Sequence, residues 1–243
     1  NIHLLQQQIN EYIAANSRFE PRRAYLGMSK IGDCPRRVTR ELLHRLIPTD
    51  EIHRMSYTGY DQEASILKML VEARVALPYK RELVSQFDER LRGHIDAVTV
   101  ENDLLEIKSL SSLKFQRVDQ TRRIHPRHYV QVQLYMRYGG YRQALVVCRN
   151  RDTYEHLLFH IAYDPAQAEN YEQKAKRILA AWDEKLILPA SVDIANNGSD
   201  TKSILPSEVP MAASLPAVST SPAFRLIRVD VSFPPKNGMI QPF

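Results

Sequence analysis

The stretch Gly93-His-Ile-Asp-Ala-Val-Thr-Val-Glu-Asn-Asp-Leu-Leu-Glu-Ile-Lys-Ser109 decides the fold of this chain. It predicts a β-hairpin with one strand at residues 94–100 and a second at residues 104–110. The two strands are joined by Glu101-Asn102-Asp103, which are residue types that favour tight turns. We therefore expect a sheet whose central strands come from this hairpin.

Three charged side chains are expected on one face of that hairpin. If it closes symmetrically about Asn102, Val98 lies opposite Glu106 and Asp96 lies opposite Lys108. Strand side chains alternate between the two faces, so Asp96, Glu106 and Lys108 all project from the same side. Two carboxylates and one ammonium are thus predicted within a few ångströms of one another.

The other face of the hairpin carries Ile95, Ala97, Leu105 and Ile107, so we expect burial on both sides. Charges are costly to bury unless they pair or bind a metal ion. One lysine cannot neutralise two carboxylates, and the remaining negative charge suits a hard divalent cation with oxygen ligands. The alternative is a structural ion pair between Lys108 and one carboxylate, and the hairpin alone does not decide between the two.

The whole chain has an ordinary globular composition, with 243 residues of which 44% are hydrophobic and 25% charged. Its net charge of +5 and pI of about 9.2 are compatible with an acidic partner. We find no apolar run long enough for a membrane span and no signal-peptide pattern, so we predict an intracellular, cytoplasmic protein with no membrane partner. Two cysteines, Cys34 and Cys148, cannot build a disulfide framework.

A helix that follows Gly59-Tyr-Asp-Gln-Glu63 is predicted to carry Ile66, Leu67 and Leu70 on its inward face. Glu63 lies on that same face, one turn earlier. An acid in the first turn of a helix is explained by the helix dipole alone. An acid on the core-facing stripe is also a candidate third oxygen ligand for the hairpin.

Basic residues dominate residues 109–151, where nine Lys or Arg side chains stand against the single acid Asp119. This excess favours a phosphate-binding surface over an ordinary solvated face. Near the chain start, Pro35 begins another helix. For the basic side chains at the start of this helix, contact with solvent and contact with phosphates are equally expected. The resulting candidates for DNA contact are Ser29, Arg36, Arg37, Lys114, Arg117, Arg122, Arg123, Arg127 and His128.

A helix opened by Pro126 and closed by Gly139-Gly140 lies inside this basic stretch. Gln131 and Tyr135 share one face of it, and His128 extends the stripe. The stripe is either the wet side of a helix or a set of groups that orients a backbone or stacks a base.

The sequence divides into three parts. Residues 1–28 form an N-terminal helical segment, whose apolar stripe is expected to pack, and residues 29–189 form one α/β core with a mixed sheet. Residues 190–243 form a tail rich in Pro and Ser, in which residues 223–233 could add one edge strand.

The order of these features resembles the PD-(D/E)XK nucleases of the RecB-like branch, which include phage-type exonucleases and CRISPR-associated nucleases. Five segments carry the resemblance, across roughly residues 25–190. They are residues 29–37, Gly59-x-x-x-Glu63, Gly93-His-Ile-Asp96, Glu106-Ile-Lys108 and Gln131-x-x-x-Tyr135. The resemblance implies a restriction-endonuclease-like α/β core, in which a mixed central sheet is flanked by helices.

The resemblance also implies a divalent-metal-dependent DNA nuclease, and specifically an exonuclease, that works in recombination, repair or phage DNA processing. Glu63, Asp96, Glu106 and the carbonyl of Ile107 are the implied ligands of Mg²⁺ or Mn²⁺. Lys108 is implied to position or deprotonate the attacking water, or to stabilise the transition state. Gln131 and Tyr135 are implied to hold the substrate strand or the site itself.

One departure from the family concerns cysteine. Relatives with an iron–sulfur cluster use four cysteines, whereas this chain has Cys34 alone in the corresponding segment and Cys148 inside a predicted strand. We therefore expect no iron–sulfur cluster, and we expect Cys34 to be a buried small apolar residue.

Two other functions compete with the nuclease. A catalytically silent DNA-binding subunit of a recombination or CRISPR-type complex is disfavoured because every expected catalytic position is filled. A hydrolase of small phosphate esters is disfavoured because a small substrate needs no extended basic surface. A helicase, an annealing protein or another recombination protein is an expected partner besides DNA.

Overall fold

The structure is a computed structural model that describes residues 2–17, 24–44 and 47–190, together with the backbone of one strand near the end of the chain. The helices in these residues are α1 (Ile2–Asn16), α2 (Pro35–Leu43), α3 (Asp50–Glu72), α4 (Ser112–Thr121), α5 (Pro126–Gly139) and α6 (Pro165–Asp183). The strands are β1 (Leu26–Gly27), β2 (Ala76–Leu77), β3 (Arg81–Val84), β4 (Leu91–Ile95), β5 (Ala97–Thr99), β6 (Leu104–Leu110), β7 (Gln143–Asn150), β8 (His156–Ala162) and β9 (Phe224–Arg228).

The strands form two sheets. The larger sheet has the order β2-β5-β6-β7-β8-β9, and the smaller one has the order β1-β4-β3. The pair β6–β7 is parallel and is connected through α4 and α5, whereas β5–β6 and β7–β8 are antiparallel. Helices flank this mixed sheet, so the predicted restriction-endonuclease-like α/β fold is confirmed.

Two buried clusters cover the two faces of the larger sheet. On one face, Ile66 and Leu70 of α3 pack with Ala97, Leu105 and Ile107. The other face belongs to a larger cluster in which α5 and α6 cover the sheet, and in which Leu26 and Met28 near the chain start also take part. The hairpin is therefore buried on both sides as predicted, and the strand β6 lies between two hydrophobic layers.

The predicted hairpin register is wrong by two residues. Val98 pairs with Leu104 rather than with Glu106, so the hairpin is symmetric about Glu101. Thr99 is the reason: its backbone N–H donates to the carbonyl of Asp103 (2.9 Å), and its hydroxyl accepts from the Asp103 N–H (3.0 Å). A three-residue loop results, and its last residue, Asn102, takes the left-handed φ of 66° that such loops require.

The predicted first strand of the hairpin is in fact two strands. It breaks at Asp96, because β4 pairs with β3 and β1 in the smaller sheet while β5 pairs with β6 in the larger one. A shift by two residues keeps every side chain on its predicted face. The register shift therefore moves Asp96 from opposite Lys108 to opposite Glu106, without removing either carboxylate from the shared side.

The helix α3 is longer than predicted, since it begins at Asp50 rather than near Gly59. Glu63 consequently lies in the helix interior, and the helix dipole does not account for it. Gly59 also lies in the interior, where a glycine costs about 1 kcal/mol relative to alanine. Apart from its chain neighbours and the backbone of its own helix, no atom of the described residues lies within 4 Å of a Cβ added at Gly59.

The apolar stripe of α1 packs only in part, since Ile13 is half-buried while the residues nearer the start of the helix are exposed. Ile2, Leu5 and Ile9 are each more than half exposed. The contacts that hold α1 to α3 are polar or aromatic instead: Asn10 Nδ2 donates to Asp50 Oδ2 at 3.0 Å, and the rings of Tyr12 and Tyr57 meet edge to face at 6.4 Å.

Cys34 is not buried, which corrects the prediction for this residue. It is the N-cap residue of α2, it is exposed, and its Sγ donates to the carbonyl of Ala190 at 3.0 Å. Pro35 occupies the first position of α2, where its missing N–H is tolerated. Cys148 lies in β7 and is 1% exposed. Within the described residues, no helix combines the length and the hydrophobicity needed to span a bilayer.

The strand β9 lies at the edge of the larger sheet and pairs in parallel with β8, from Phe224 to Arg228. The rest of the predicted segment 223–233 lies outside the described residues. All described core residues fall between Leu26 and Ala181. A chain that ends at Ala190 therefore keeps every described residue of both clusters.

We predict that a chain ending at Ala190 folds and keeps its core, because both buried clusters remain intact. It should lose modest stability and gain a tendency to associate, since β8 becomes an unprotected sheet edge. Urea unfolding and light scattering of the truncated and full chains test this. An unfolded truncated chain would show that β9 is required for the sheet.

Candidate active site

Glu106 is the centre of the candidate site. Its side chain on β6 is 1% exposed, and Nε2 of Gln131 on α5 donates to its Oε1 at 2.6 Å. Lys108 Nζ forms an ion pair with the same oxygen. The second carboxylate oxygen, Oε2, is buried and has no hydrogen-bond partner among the described residues. An orphaned buried carboxylate oxygen is costly, so this atom is positioned for a ligand.

Asp96 lies at the break between β4 and β5, where the chain passes from one sheet to the other. Its Oδ2 accepts a hydrogen bond from the backbone N–H of Ile107 at 2.8 Å. This bond fixes the Asp96 carboxylate beside the strand that carries Glu106 and Lys108. Ile107 thus enters the site through its N–H, while its predicted role as a carbonyl ligand stays a prediction.

Glu63 reaches the same site from α3. It lies close enough to Asp96 that burial and the neighbouring Asp96 charge together raise the pKa of Glu63. Its Oε1 lies 4.0 Å from Nζ of Lys80. Sequence reasoning missed Lys80, because a single lysine in the loop between β2 and β3 carries no recognisable pattern.

The electrostatics of the three carboxyl groups show that the site has too much negative charge for its environment. Burial and the nearby Asp96 raise the pKa of Glu106 to about 8. Burial and Asp96 also raise the pKa of Glu63 to about 7. Burial raises the pKa of Asp96, against the opposing effect of Lys108. Two lysines therefore do not fully compensate the buried carboxylate of Glu106 and the partly buried carboxylates of Asp96 and Glu63.

The donor set fits a hard divalent cation, although the side chains are not gathered as ready-made ligands. Within residues 2–17, 24–44 and 47–190, no three His, Cys, Asp or Glu side chains are close enough to form a metal-binding group. Glu106 is instead paired with Lys108, and Asp96 accepts from the backbone N–H of Ile107. The orphaned Oε2 of Glu106 and the all-oxygen donor set match what Mg²⁺ and Mn²⁺ prefer.

Lys108 connects this site to the basic surface. Its charge, after burial itself, is the largest influence that lowers the pKa of His128, to about 2, so the His128 imidazole is neutral at neutral pH. The His128 and His125 rings lie 5.6 Å apart at the start of α5. The charges of Arg127 and Lys114 also contribute to lowering the pKa of both histidines, after burial.

Gln131 and Tyr135 have different roles. Gln131 holds Glu106 directly. Tyr135 is 3% exposed, and its position favours the interpretation that it holds the site rather than the substrate strand. A Cβ added at Gly93 would lie 2.4 Å from Cε1 of Tyr135 and 2.9 Å from Sδ of Met28. The glycine of the segment Gly93-His-Ile-Asp96 therefore makes room for this tyrosine.

The remaining predicted DNA-contact residues are spread over the surface at the start of α2, along α4 and just after its end, at the start of α5 and in a short 3-10 helix. Arg36, Lys114, Arg117 and Arg123 are exposed, and Ser29 is half-buried in a short 3-10 helix, Met28–Lys30. The others form ion pairs within the protein: Arg37 with Glu41 (2.8 Å), Arg122 with Asp119 (2.8 Å) and Arg127 with Asp33 (3.4 Å).

The basic excess of residues 109–151 is smaller in the folded protein than in the sequence. Arg137 contacts Glu172 at 2.7 Å and Glu169, so its charge is used between α5 and α6. Arg149 packs over the ring of Tyr154 at 4.6 Å. Neither arginine therefore counts toward a surface for phosphates.

We predict that Gly93→Ala destabilises the protein by about 1–3 kcal/mol, because the added methyl group forces Tyr135 or Met28 to move. In a Tyr135→Leu background the same change should cost much less, since the ring that it meets is gone. Urea unfolding of the two single variants and the double variant gives the coupling energy. Strictly additive effects would show that Gly93 is not there to accommodate Tyr135.

We predict that the protein, in the presence of a chelator, loses stability as the pH rises from 6.5 to 8. In this interval the folded state keeps protons on Glu63 and Glu106 (pKa about 7 and 8) that the unfolded chain, with pKa values near 4.5, has released. Each excess proton lowers the free energy of unfolding by about 1.4 kcal/mol per pH unit. Below pH 6.5, His128 acts in the opposite direction, because its pKa is depressed in the folded state.

Chemical unfolding at four pH values tests this, with Glu106→Gln as the control variant. The slope should become shallower in Glu106→Gln, because one titrating group is removed. Saturating Mn²⁺ should reverse the slope, since a metal ion replaces the protons and its affinity rises with pH. A flat profile in both proteins would contradict the raised pKa values.

Comparisons with known proteins support the fold. No family model and no curated protein matches the sequence. The crystal structure of LHK-Exo in complex with dAMP matches with a TM-score of 0.55 and 15% identity, covering 72% of this chain and 93% of that one. A second structure of LHK-Exo, an alkaline exonuclease from Laribacter hongkongensis, gives a TM-score of 0.54, 14% identity and the same coverages. A phage-related exonuclease from Haemophilus somnus gives 0.48 and 11% identity, covering 66% of this chain and 94% of that one. The described core therefore has the fold of the Laribacter alkaline exonuclease.

Proposed function

We propose that this protein is a divalent-metal-dependent DNA exonuclease. The observation that carries the proposal is the buried Glu106, whose Oε1 is held by Lys108 and Gln131 while its Oε2 has no partner among the described residues. The surplus of carboxylates over lysines around it and the basic surface beside it agree with the proposal. The fold shared with exonuclease structures is the remaining support.

Asp96, Glu106 and Glu63 would hold Mg²⁺ or Mn²⁺, with the carbonyl of Ile107 as a further oxygen donor. When bound, the cation supplies charge neutralisation at a phosphodiester and lowers the pKa of a water molecule. The raised pKa values of Glu63 and Glu106 mean that these groups bind protons when they bind no cation. Cation binding is therefore coupled to proton release near neutral pH.

Lys108 contributes a charge that is held in place rather than free to move. Burial opposes its charged form, but Glu106 and Asp96 outweigh this effect and raise the pKa of the ammonium. It therefore stays protonated at neutral pH and acts as a donor to the attacking water or to a phosphate oxygen, not as a general base. Gln131 keeps the Glu106 carboxylate in one orientation and leaves its second oxygen available.

The substrate strand would approach from the side of α4 and the start of α5. There the exposed Lys114 and Arg117 lie close enough to influence His125, and Lys114 also influences His128. These side chains are distributed over a surface wider than one phosphate group, which favours a polymer over a small phosphate ester. The neutral His128 can stack on a base or donate a hydrogen bond without adding a charge.

We predict that Asp96→Asn and Glu106→Gln lose Mn²⁺ affinity and cleavage together. Both changes keep the hydrogen-bond acceptors for Ile107 and Gln131, and they remove only ligand charge. In the presence of a chelator these variants should be as stable as the wild type or more stable, because carboxylate repulsion is relieved. Calorimetric titration with Mn²⁺ and degradation of linear and circular DNA measure the two effects.

Lys108→Met is the matched variant, because it keeps the apolar stem and removes the ammonium. It should bind Mn²⁺ and fail to cleave, and in chelator it should be destabilised by about 3 kcal/mol or less, since the lysine side chain remains 21% exposed. Degradation of linear DNA with circular DNA left intact identifies an exonuclease. Stability loss in Asp96→Asn with cleavage intact would instead identify a structural ion pair, and DNA binding without any cleavage would identify a silent subunit.

A further inference from the structure

Within the part of the chain that the structure describes, no packing or backbone constraint requires a glycine at position 59. Its backbone is helical, and it does not have the positive φ of Gly140. The contrast with other glycines is direct: a Cβ at Gly32 or Gly139 would lie 2.5 Å or less from another residue, whereas a Cβ at Gly59 would meet nothing within 4 Å. Alanine would therefore fit at Gly59 and would improve the helix.

The position of Gly59 places it beside the candidate active site. It precedes Glu63 by four residues, so the two share a face of α3 and lie about 6 Å apart along the helix axis. Gly59 is exposed, while the side chain of Glu63 is 30% exposed. The exposed helix backbone at Gly59 is thus next to the solvent-exposed side of the site formed by Glu63, Asp96 and Glu106.

Lys80 supplies a positive charge at the same place. Its Nζ lies 4.0 Å from Oε1 of Glu63 and 5.5 Å from the ring centroid of Tyr60, and its side chain is 56% exposed. A separation of 4.0 Å is too long for a hydrogen bond, so the ammonium pairs with Glu63 only through charge. Its three N–H donors can therefore contact an anion on the solvent side.

We propose that the face of α3 from Gly59 to Glu63, together with Lys80, is a second binding surface for the substrate strand. The sugar–phosphate backbone passes directly over Gly59, and Lys80 binds the phosphate next to the one that is cleaved. This assignment rests on the proposed function, because it takes DNA as the ligand. This surface differs from the basic surface of α4 and α5 because it lies on α3. It also differs in chemistry, because close approach of the DNA backbone to the helix, rather than net charge, defines it.

The two residues should act at different stages. Gly59 removes a steric obstacle, so any side chain there should weaken DNA binding whatever its charge. Lys80 attracts Glu63 when the carboxylate is not neutralised, and it should therefore compete with a cation for this ligand. Once a cation neutralises Glu63, the Lys80 ammonium is available to bind the DNA phosphate. Binding of the cation and binding of the DNA strand should therefore favour each other.

The test measures DNA binding, stability and metal affinity separately. Gly59→Ala and Gly59→Leu are made in the Lys108→Met background, and the affinity for a fluorescent linear oligonucleotide is measured by anisotropy with Mn²⁺ and with a chelator. Gly59→Ala should unfold at a higher urea concentration and bind DNA about tenfold more weakly. Gly59→Leu should bind more weakly still.

Thr58→Ala is the matched control. Thr58 is the exposed neighbour of Gly59 in α3, and five residues separate it from Glu63, which places it on a different side of the helix. The substitution also improves helix propensity, so it should raise the urea midpoint and leave the affinity for DNA unchanged. Equal effects of Thr58→Ala and Gly59→Ala on DNA binding would overturn the role of Gly59.

Lys80→Met tests the second half of the proposal. It should bind Mn²⁺ about threefold more tightly, because a competing charge near Glu63 is removed. It should also reduce the salt dependence of DNA binding by about one unit of slope. An unchanged slope would show that Lys80 only balances Glu63. Because these measurements follow binding, they remain decisive if the wild-type protein fails to cleave DNA.

Discussion

The rest of the structure depends on a carboxylate that the protein buries almost completely. Glu106 lies on a strand between two hydrophobic layers, where an ionised group is costly. The fold compensates one of its oxygens with an ammonium and an amide, whereas the other oxygen finds no partner among the residues that the structure describes. A structure selected only for stability would satisfy both oxygens or replace the residue, so the incomplete compensation is a sign of function.

Several separate features serve this one group. The helix α5 brings Gln131 to the carboxylate, and Tyr135 one turn later packs against Gly93, which has no side chain to obstruct it. The break at Asp96 brings a second carboxylate alongside, and its hydrogen bond to Ile107 ties it to the strand of Glu106. Three distant segments of the chain therefore meet at the same place and depend on one another there.

The sequence was sufficient to predict what depends on alternation and on capping residues. The shared face of Asp96, Glu106 and Lys108 survived a register error of two residues, because a shift by two preserves the face. The ends of α5 followed from Pro126 and Gly140, whose roles at helix ends are local. Strand alternation and helix capping are thus readable without tertiary information.

What the sequence could not predict depends on tertiary contacts. The register was set by a side-chain hydrogen bond of Thr99, and the break at Asp96 arises because β4 and β5 pair in different sheets. The exposure of Cys34 follows from its position at the start of α2, whereas small size and polarity alone suggested burial. No sequence pattern marked Lys80, because its role depends only on its proximity to Glu63 in the folded protein.

The two cysteines give the protein a built-in pair of chemical reporters. A thiol reacts as its thiolate, so the exposed Cys34 can be alkylated in the native state. Burial raises the pKa of Cys148 to about 12, and the 1% exposure of this residue in β7 keeps reagents away from it. Alkylation of Cys148 therefore requires that the central sheet opens. Timed alkylation followed by mass spectrometry would thus measure the accessibility of the surface and the opening of the core in the wild-type protein in one experiment.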